Sequence, residues 1–484
     1  MQAAGIALAL VLLLLLAAGL WWIWQVPFRA LGLLVAGMAL HNFVLMLLLR
    51  LETPHLLVRA VQSWKEIILV LLALLAARLA LRRPRSALRP ALNRLDLVAA
   101  AFVALALLYL VIPGHLLGNQ ANLSQRLVGL RLVLLLPALY AVGRIFPPPN
   151  RRELALAGGV ILGAGAIVGL FGLFELWLIP TRAWLDWGVN QLSAWLGFHY
   201  AGPRGLPENF FQTASEGLLL RRMVSTYVSP LGIAYTGLLV IPIGTALVIA
   251  ARRSRPLVVW LGGIGLVLLL TGVFFSVTRL ALAAGLVELG ILMALFRRPW
   301  LIAATGLAVL GTAFMLFQYT NVGPVVQRDL STVAQRPAQL HIVSGQDPSL
   351  REHGQQLTFD IKYALHHPLG TGLGSSVHRF GASQGTGESA IFDMFGDLGV
   401  IGGLLYLGFY SSSVVIGFLA YRQRRRDALA SMLPLVALVG GIGLLPITLT
   451  SDVWGDLSVT FLFWWAAGSS VTLWRAGSTS EAIV

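Results

Sequence analysis

The stretch Ser276-Val277-Thr278-Arg279-Leu280-Ala281-Leu282-Ala283-Ala284-Gly285-Leu286-Val287-Glu288-Leu289-Gly290 decides how this chain folds. It lies inside an apolar run between Arg255 and Arg297 that holds one cation, Arg279. A chain that crosses ~30 Å of hydrocarbon and returns needs two helices of roughly 20 residues each. The midpoint of the run falls close to Arg279. If both basic ends lie in the cytoplasm, as the positive-inside bias expects, Arg279 stands at the opposite face, at the top of a helix. A guanidinium there is costly to leave unengaged, so it reads first as functional and second as a side chain snorkelling to headgroups.

The composition agrees. The 484 residues are 57% hydrophobic, with a mean hydropathy of +0.80, which is too apolar for a soluble multidomain protein. The formal charge of +15 comes from cations clustered in short loops between apolar runs. That distribution orients helices in a bilayer and is not a nucleic-acid footprint. Lys65 and Lys362 are the only lysines, and the absence of cysteine excludes disulfides, Fe–S clusters and thiol nucleophiles. Residues 4–24 lack a basic start and are followed at once by a second apolar run, so they read as a retained membrane helix with Trp21, Trp22 and Trp24 in the interfacial belt.

Apolar runs near 4–24, 28–49, 66–82, 97–113, 128–147, 154–178, 230–251, 257–275, 280–296, 299–318, 395–420, 429–448 and 454–474 predict 12 or 13 membrane helices. The expected class is an all-α polytopic integral membrane protein. Arginine clusters at 78–94, 144–152, 252–255, 297–298 and 422–426 follow alternate helices, which makes them cytoplasmic and makes the end of the last helix, at Arg475, cytoplasmic too. Residues 51–65 read either as part of the crossings or as an interfacial helix. The expected organisation is N-terminal membrane helices over 1–179, an outer loop over 180–229 with an arginine pair, and membrane helices over 230–318 carrying Arg279. A large outer loop over 319–388, C-terminal helices over 389–475 and a tail over 476–484 complete it. The second loop holds His341, His353, His366, His367 and His378, five of the nine histidines. Its later part, LTFDIKYALHHPLGTGLG, alternates helix-like and turn-like segments.

Arg221 and Arg222 precede Ser229-Pro230, a helix start with a capping serine and a first-turn proline. With Arg279 they make three cations at one membrane depth, where a lipid-linked diphosphate carries its charge. Headgroup contacts are the plainer reading of each arginine alone. Arg204, Glu208, Arg351, Lys362 and Arg379 are further candidates for glycan or phosphate contacts. Asp393 and Asp397 share one helix face and would bind sugar hydroxyls or solvate the helix; Trp454, between Asp452 and Asp456, reads as an interface anchor before a sugar platform. His366 and His367 lack a third ligand at convincing spacing, so no metal is expected. The glycines of Gly370-Thr371-Gly372-Leu373-Gly374 follow no parallel strand and read as a tight turn.

Arg221 and Arg279 are each followed, after ten residues, by Gly232 and Gly290. This repeated spacing resembles the pattern of O-antigen polymerases, and Ser276-Val277-Thr278-Arg279 is similar to the helix start of the O-antigen ligase/polymerase superfamily. His366-His367-Pro368-Leu369-Gly370-Thr371-Gly372-Leu373-Gly374 resembles that superfamily's His-Pro-Leu-x-Gly-x-Gly stretch. The segment GESAIFDMFGDLGVIGGLLYL is similar to its polar pair leading into a helix. The likeness covers roughly residues 95–475. It implies a GT-C-like fold in the inner (cytoplasmic) membrane with the active site facing the periplasm or cell exterior. It implies glycan transfer from an undecaprenyl-diphosphate donor to an acceptor hydroxyl of a glycan or a lipid-A-core-like molecule, with no cofactor and no obligatory metal. Arg221, Arg222 and Arg279 would clamp the leaving diphosphate. Glu388 or His378 would take the acceptor proton; Arg204, Arg351, Lys362, His367, Arg379 and Asp393 would hold substrate. Many ligases of the family have His-Asn where this chain has Glu388-Ser389, so their catalytic histidine does not transfer here, and the departure leans toward a polymerase or a divergent ligase.

The competing class is a transporter or flippase for polysaccharide or lipid-linked oligosaccharide. It calls for mid-membrane ionisable groups and paired broken helices. The mid-helix positions are nearly free of charge, with Glu288 and His41 the clearest exceptions, and no convincing internal repeat is found. A cell-wall transglycosylase of the shape, elongation, division and sporulation class shares the general plan, without a match to its signature residues.

Overall fold

The computed structural model describes residues 1–82, 93–197, 202, 205–213, 218–251, 256–322, 325–327, 348–377, 386 and 389–478. Among them, 11 helices are long and apolar enough to cross a membrane. The chain is an all-α polytopic membrane protein. Two further runs expected to cross are also helical. One, Trp64–Arg82, carries charges at both ends. The other, Met432–Thr448, is shorter and contains a π-helical turn at Val436–Gly440.

In chain order the first helices are α1 Gln2–Gln25, α2 Arg29–Arg50, α3 His55–Gln62, α4 Trp64–Arg82, α5 Arg94–Val111, α6 Leu123–Ile145 and α7 Arg151–Leu178. Within residues 51–65, α3 is a short helix of its own, separate from the long apolar helices on either side. The region expected as the first outer loop is structured: α8 Arg182–Asp186, α9 Val189–Leu196, β1 Phe211–Thr213 and β2 Leu218–Arg221. Next come α10 Pro230–Ala251, α11 Pro256–Phe275, α12 Arg279–Phe296, α13 Pro299–Val322, β3 Val325–Gln327 and α14 Pro348–His366. The chain finishes with α15 Ala390–Arg424, α16 Met432–Leu435, α17 Gly441–Thr448 and α18 Leu457–Ser478.

Two compact units result. The first comprises Met1–Gly19, Ala36–Lys65 and Gly159–Gly354. Its centre is α10, 83% buried over its most apolar window against 11% for α1. Such a contrast separates a helix walled by protein from one that offers its leucines to lipid. An apolar core of Trp184, Leu192, Phe210, Phe211, Leu219 and Val224 ties α8, α9 and the strands to the upper part of α2. The strands form an antiparallel sheet in the order β1-β2-β3, with Leu219 opposite Thr213 on one side and Val326 on the other. The two regions expected as separate loops are therefore stitched together by backbone hydrogen bonds.

The second unit comprises Leu20–Val35, Glu66–Gly158 and Gln355–Val484. Here α6 and α18 touch backbone to backbone. A Cβ on Gly143 would fall 2.2 Å from the Trp465 carbonyl oxygen, and one on Gly468 2.0 Å from that of Tyr140. Small residues let membrane helices approach this closely. Charges at the helix ends pair off: Arg29 with Glu153 at 2.7 Å, and Arg144 with Asp96 at 2.9 Å, where the Tyr140 hydroxyl also donates to Asp96.

Candidate functional site

Helix α12 begins at Arg279, where the midpoint of the apolar run puts it. The turn before it is tight: Val277 has φ 51°, in the left-handed region, and Ser276, Val277 and Thr278 are all buried. Strand β2 runs into this turn. The Met223 amide donates to the Phe275 carbonyl at 2.9 Å, and the Arg222 amide to that of Phe210 at 3.0 Å. The fixed backbone sends the two arginines to different partners, because successive side chains of an extended chain point to opposite sides.

Arg221 turns toward α7. Its guanidinium donates to the Glu175 carboxylate at 2.7 Å and to the backbone carbonyls of Glu175 and Ile179 at 3.0 and 2.7 Å. Glu175 is fully buried and also accepts from the Trp184 indole at 3.1 Å. Stripping a carboxylate and a guanidinium of water costs several kcal/mol each, and only close pairing with further hydrogen bonds offsets it. Arg221 is engaged with the scaffold on three acceptors.

Arg222 turns toward α12. Its Nε donates to the Ser276 carbonyl at 2.7 Å and its Nη2 to the Thr278 hydroxyl at 2.8 Å, using two of five N–H donors. Thr278 is the N-cap of α12, yet its side chain makes no capping hydrogen bond. The hydroxyl is committed to Arg222 instead, so the first amides of α12 gain no cap from it. Burial pushes the Arg222 guanidinium down to about 10; Tyr235 acts upward and the like charge of Arg279 downward. Arg222 stays charged at neutral pH. Two guanidiniums and a positive helix end thus act on one region, an arrangement that an anion stabilises. The trio expected as one clamp is divided, with Arg222 and Arg279 together and Arg221 bound to Glu175.

In the second unit, residues 368–377 fold around the start of α15. Asp397 accepts from the Gly374 amide at 2.9 Å, the Ser375 hydroxyl at 2.7 Å and the Ser376 amide at 3.0 Å. Gly399, at φ 69° and ψ −172°, breaks the helix there, and the Val400 amide donates to Pro368 across the break. Gly370, Gly372 and Gly374 all have positive φ, so the tight turn expected of them is present. Asp393, one turn before Asp397, accepts from the Thr386 hydroxyl at 3.1 Å. Ser389 caps α15 through the Phe392 amide at 3.1 Å. His366 and His367 fold back on carbonyls of their own helix, Lys362 and Tyr363. His367 also stacks on Tyr363, with centroids 4.3 Å apart, and Lys362 is exposed on α14. No cluster of three His, Asp or Glu suited to a metal occurs among the described residues.

Arg204, His378, Arg379 and Glu388 lie outside the described residues, as does the side chain of Arg351, whose backbone belongs to α14. Sequence reasoning passed over Glu175, although an acidic residue inside an apolar run is itself a signal. It did note Glu288 and His41. His41 accepts from the Trp64 indole at 3.1 Å, whereas both carboxylate oxygens of fully buried Glu288 have no hydrogen-bond partner among the described residues.

No protein-family model matches this chain, and a search of curated proteins finds no match either.

Proposed function

We propose that the chain is a metal-independent, GT-C-like membrane glycosyltransferase of O-antigen ligase or polymerase type. It takes glycan from an undecaprenyl-diphosphate donor in the cytoplasmic membrane and joins it to an acceptor hydroxyl at the outer face. The supporting observation is the pair Arg222 and Arg279. One guanidinium is wedged against the turn that launches the other, and both lie beside a helix start whose capping hydroxyl is used elsewhere. A diphosphate leaving a sugar develops negative charge, and pre-oriented donors stabilise that charge most where water is excluded. Glu388 and His378 are the candidates for the acceptor proton on their own chemistry, a carboxylate and an imidazole, since the family's catalytic histidine does not transfer to this chain.

Incubating the purified protein with a lipid-diphosphate oligosaccharide tests this reading. Chain-length ladders indicate a polymerase, and transfer to a lipid-A-core-like acceptor indicates a ligase. Full activity in both Glu388→Gln and His378→Ala removes these two as the base. One observation favours the transporter reading: the carboxyl of Glu288, deep in α12, has no hydrogen-bond partner among the described residues. Vesicle uptake of lipid-linked oligosaccharide without release of diphosphate would replace the transferase reading with it.

A further inference from the structure

The first unit contains an open cleft of about 630 Å³ between the end of α2, the start of α3 and helix α9, lined in part by Glu52, Thr53, His55, Gln191 and Trp195. Nothing in the arginine site uses it. Its size falls in the range of small-molecule sites, with room for a few sugar units.

The backbone at its rim is unusual. The Thr53 amide donates to the Leu48 carbonyl at 3.1 Å and the Glu52 amide to that of Leu49 at 3.0 Å. This is the paired closure that ends many helices, and its penultimate residue is left-handed and commonly glycine. Here the position is Glu52, at φ 54°. A side chain in that conformation costs roughly 1 kcal/mol, and it sits on an exposed residue that lines the cleft. Opposite, Trp195 is held in orientation. Its indole donates to Gln62 at 3.0 Å, the Arg59 guanidinium lies 5.7 Å from its ring, and His55 meets it edge-on at 5.2 Å.

We infer that this cleft is a saccharide-binding subsite. The cleft pairs the acidic Glu52 with Arg59 at the Trp195 ring, so net charge does not select a phosphate, and the groups that match hydroxyls select the sugar. A carboxylate that accepts from two hydroxyls, an amide and an imidazole that both donate and accept, and an oriented indole suit a neutral, hydroxyl-rich ring. The inference rests on the glycan-transfer reading for the source of that sugar. The wall is also tied to the arginines. Trp184, on α8 just before α9, donates to the Glu175 carboxylate that holds Arg221, and residue 222 is next in the chain. On the glycan-transfer reading, the subsite holds the glycan portion of a donor or acceptor while Arg222 and Arg279 hold the diphosphate.

The test is equilibrium dialysis of the full-length protein in detergent. The probe is radiolabelled oligosaccharide released by mild acid from the lipid-diphosphate fraction of the producing cells. Wild type should bind it. Trp195→Ala and Glu52→Gln should each weaken binding about tenfold or more, while Arg279→Ala should leave it within about twofold. Gln191→Ala, at an exposed position, serves if Trp195→Ala melts early. No binding to wild type, unchanged affinity in Glu52→Gln and Gln191→Ala, or displacement only by phosphatidylethanolamine overturns the assignment. Binding that depends on Glu52 in a protein with no transferase activity removes the transferase reading and leaves the subsite. Transfer without such binding does the reverse.

Discussion

Arg222 and Asp397 are both buried charges held by loops, and they are held in opposite ways. The Asp397 carboxylate receives three hydrogen bonds from residues 374–376, and its own carbonyl accepts from Gly372. Its oxygens are occupied by the chain that wraps it. Arg222 has a second cation as its electrostatic neighbour and a helix start beside it. A buried charge whose oxygens are all taken by the chain that wraps it is a fastener; one that shares its surroundings with a second cation and a helix start suits an anion.

The most direct way to break this contrast is to remove the cations. Arg279→Ala and Arg222→Ala should each lower glycan transfer by roughly 100-fold or more, with membrane insertion and elution on gel filtration unchanged. Near-normal turnover by either variant would sink the diphosphate clamp. The next largest effect belongs to the fastener in the same unit. Glu175→Ala leaves Arg221 buried without its carboxylate and should cost about 3 kcal/mol of stability, measured by thermal unfolding in detergent. The double variant Glu175→Ala with Arg221→Ala should lose less than the sum of the two single changes. A full sum would mean the pair is not coupled.

Asp397→Ala should lower the melting temperature through about 1–3 kcal/mol of lost satisfaction, while affinity for a lipid diphosphate stays within about twofold. A large loss of affinity at unchanged stability would move Asp397 from fastener to site. A further effect concerns pH. Burial raises Asp456, just before α18, to about 7 although the amides of Ser458 and Val459 pull it down. Its folded value exceeds its unfolded one, so the neutral form stabilises the fold. That contribution is complete below pH ~4 and shrinks as pH rises toward about 7, at up to ~1.4 kcal/mol per pH unit. Asp456→Asn should flatten this part of the pH–stability profile; identical slopes in variant and wild type would exclude the effect.

Much of the architecture was legible because bilayer helices announce themselves. The start of α12 at Arg279 followed from the length of one apolar run, and Ser229-Pro230 marked the start of α10. What stayed hidden needed contacts between distant segments. Strands of three or four residues carry too little alternation to declare themselves, so β2 and β3 read as loop. The same distance concealed Glu175 as the partner of Arg221, 46 residues away. Neighbouring arginines in sequence looked alike. Only the strand geometry gave one to the scaffold and the other to α12.

The pairing of β2 with β3 has a topological corollary. A ladder of backbone hydrogen bonds cannot have its two rungs on opposite sides of a bilayer, so the chain must traverse it an even number of times between Arg221 and Val325. Helices α10 to α13 supply four passes. Parity alone, with no appeal to where the arginines gather, fixes the membrane arithmetic of this stretch, and an inserted or deleted span there would have to unzip the sheet.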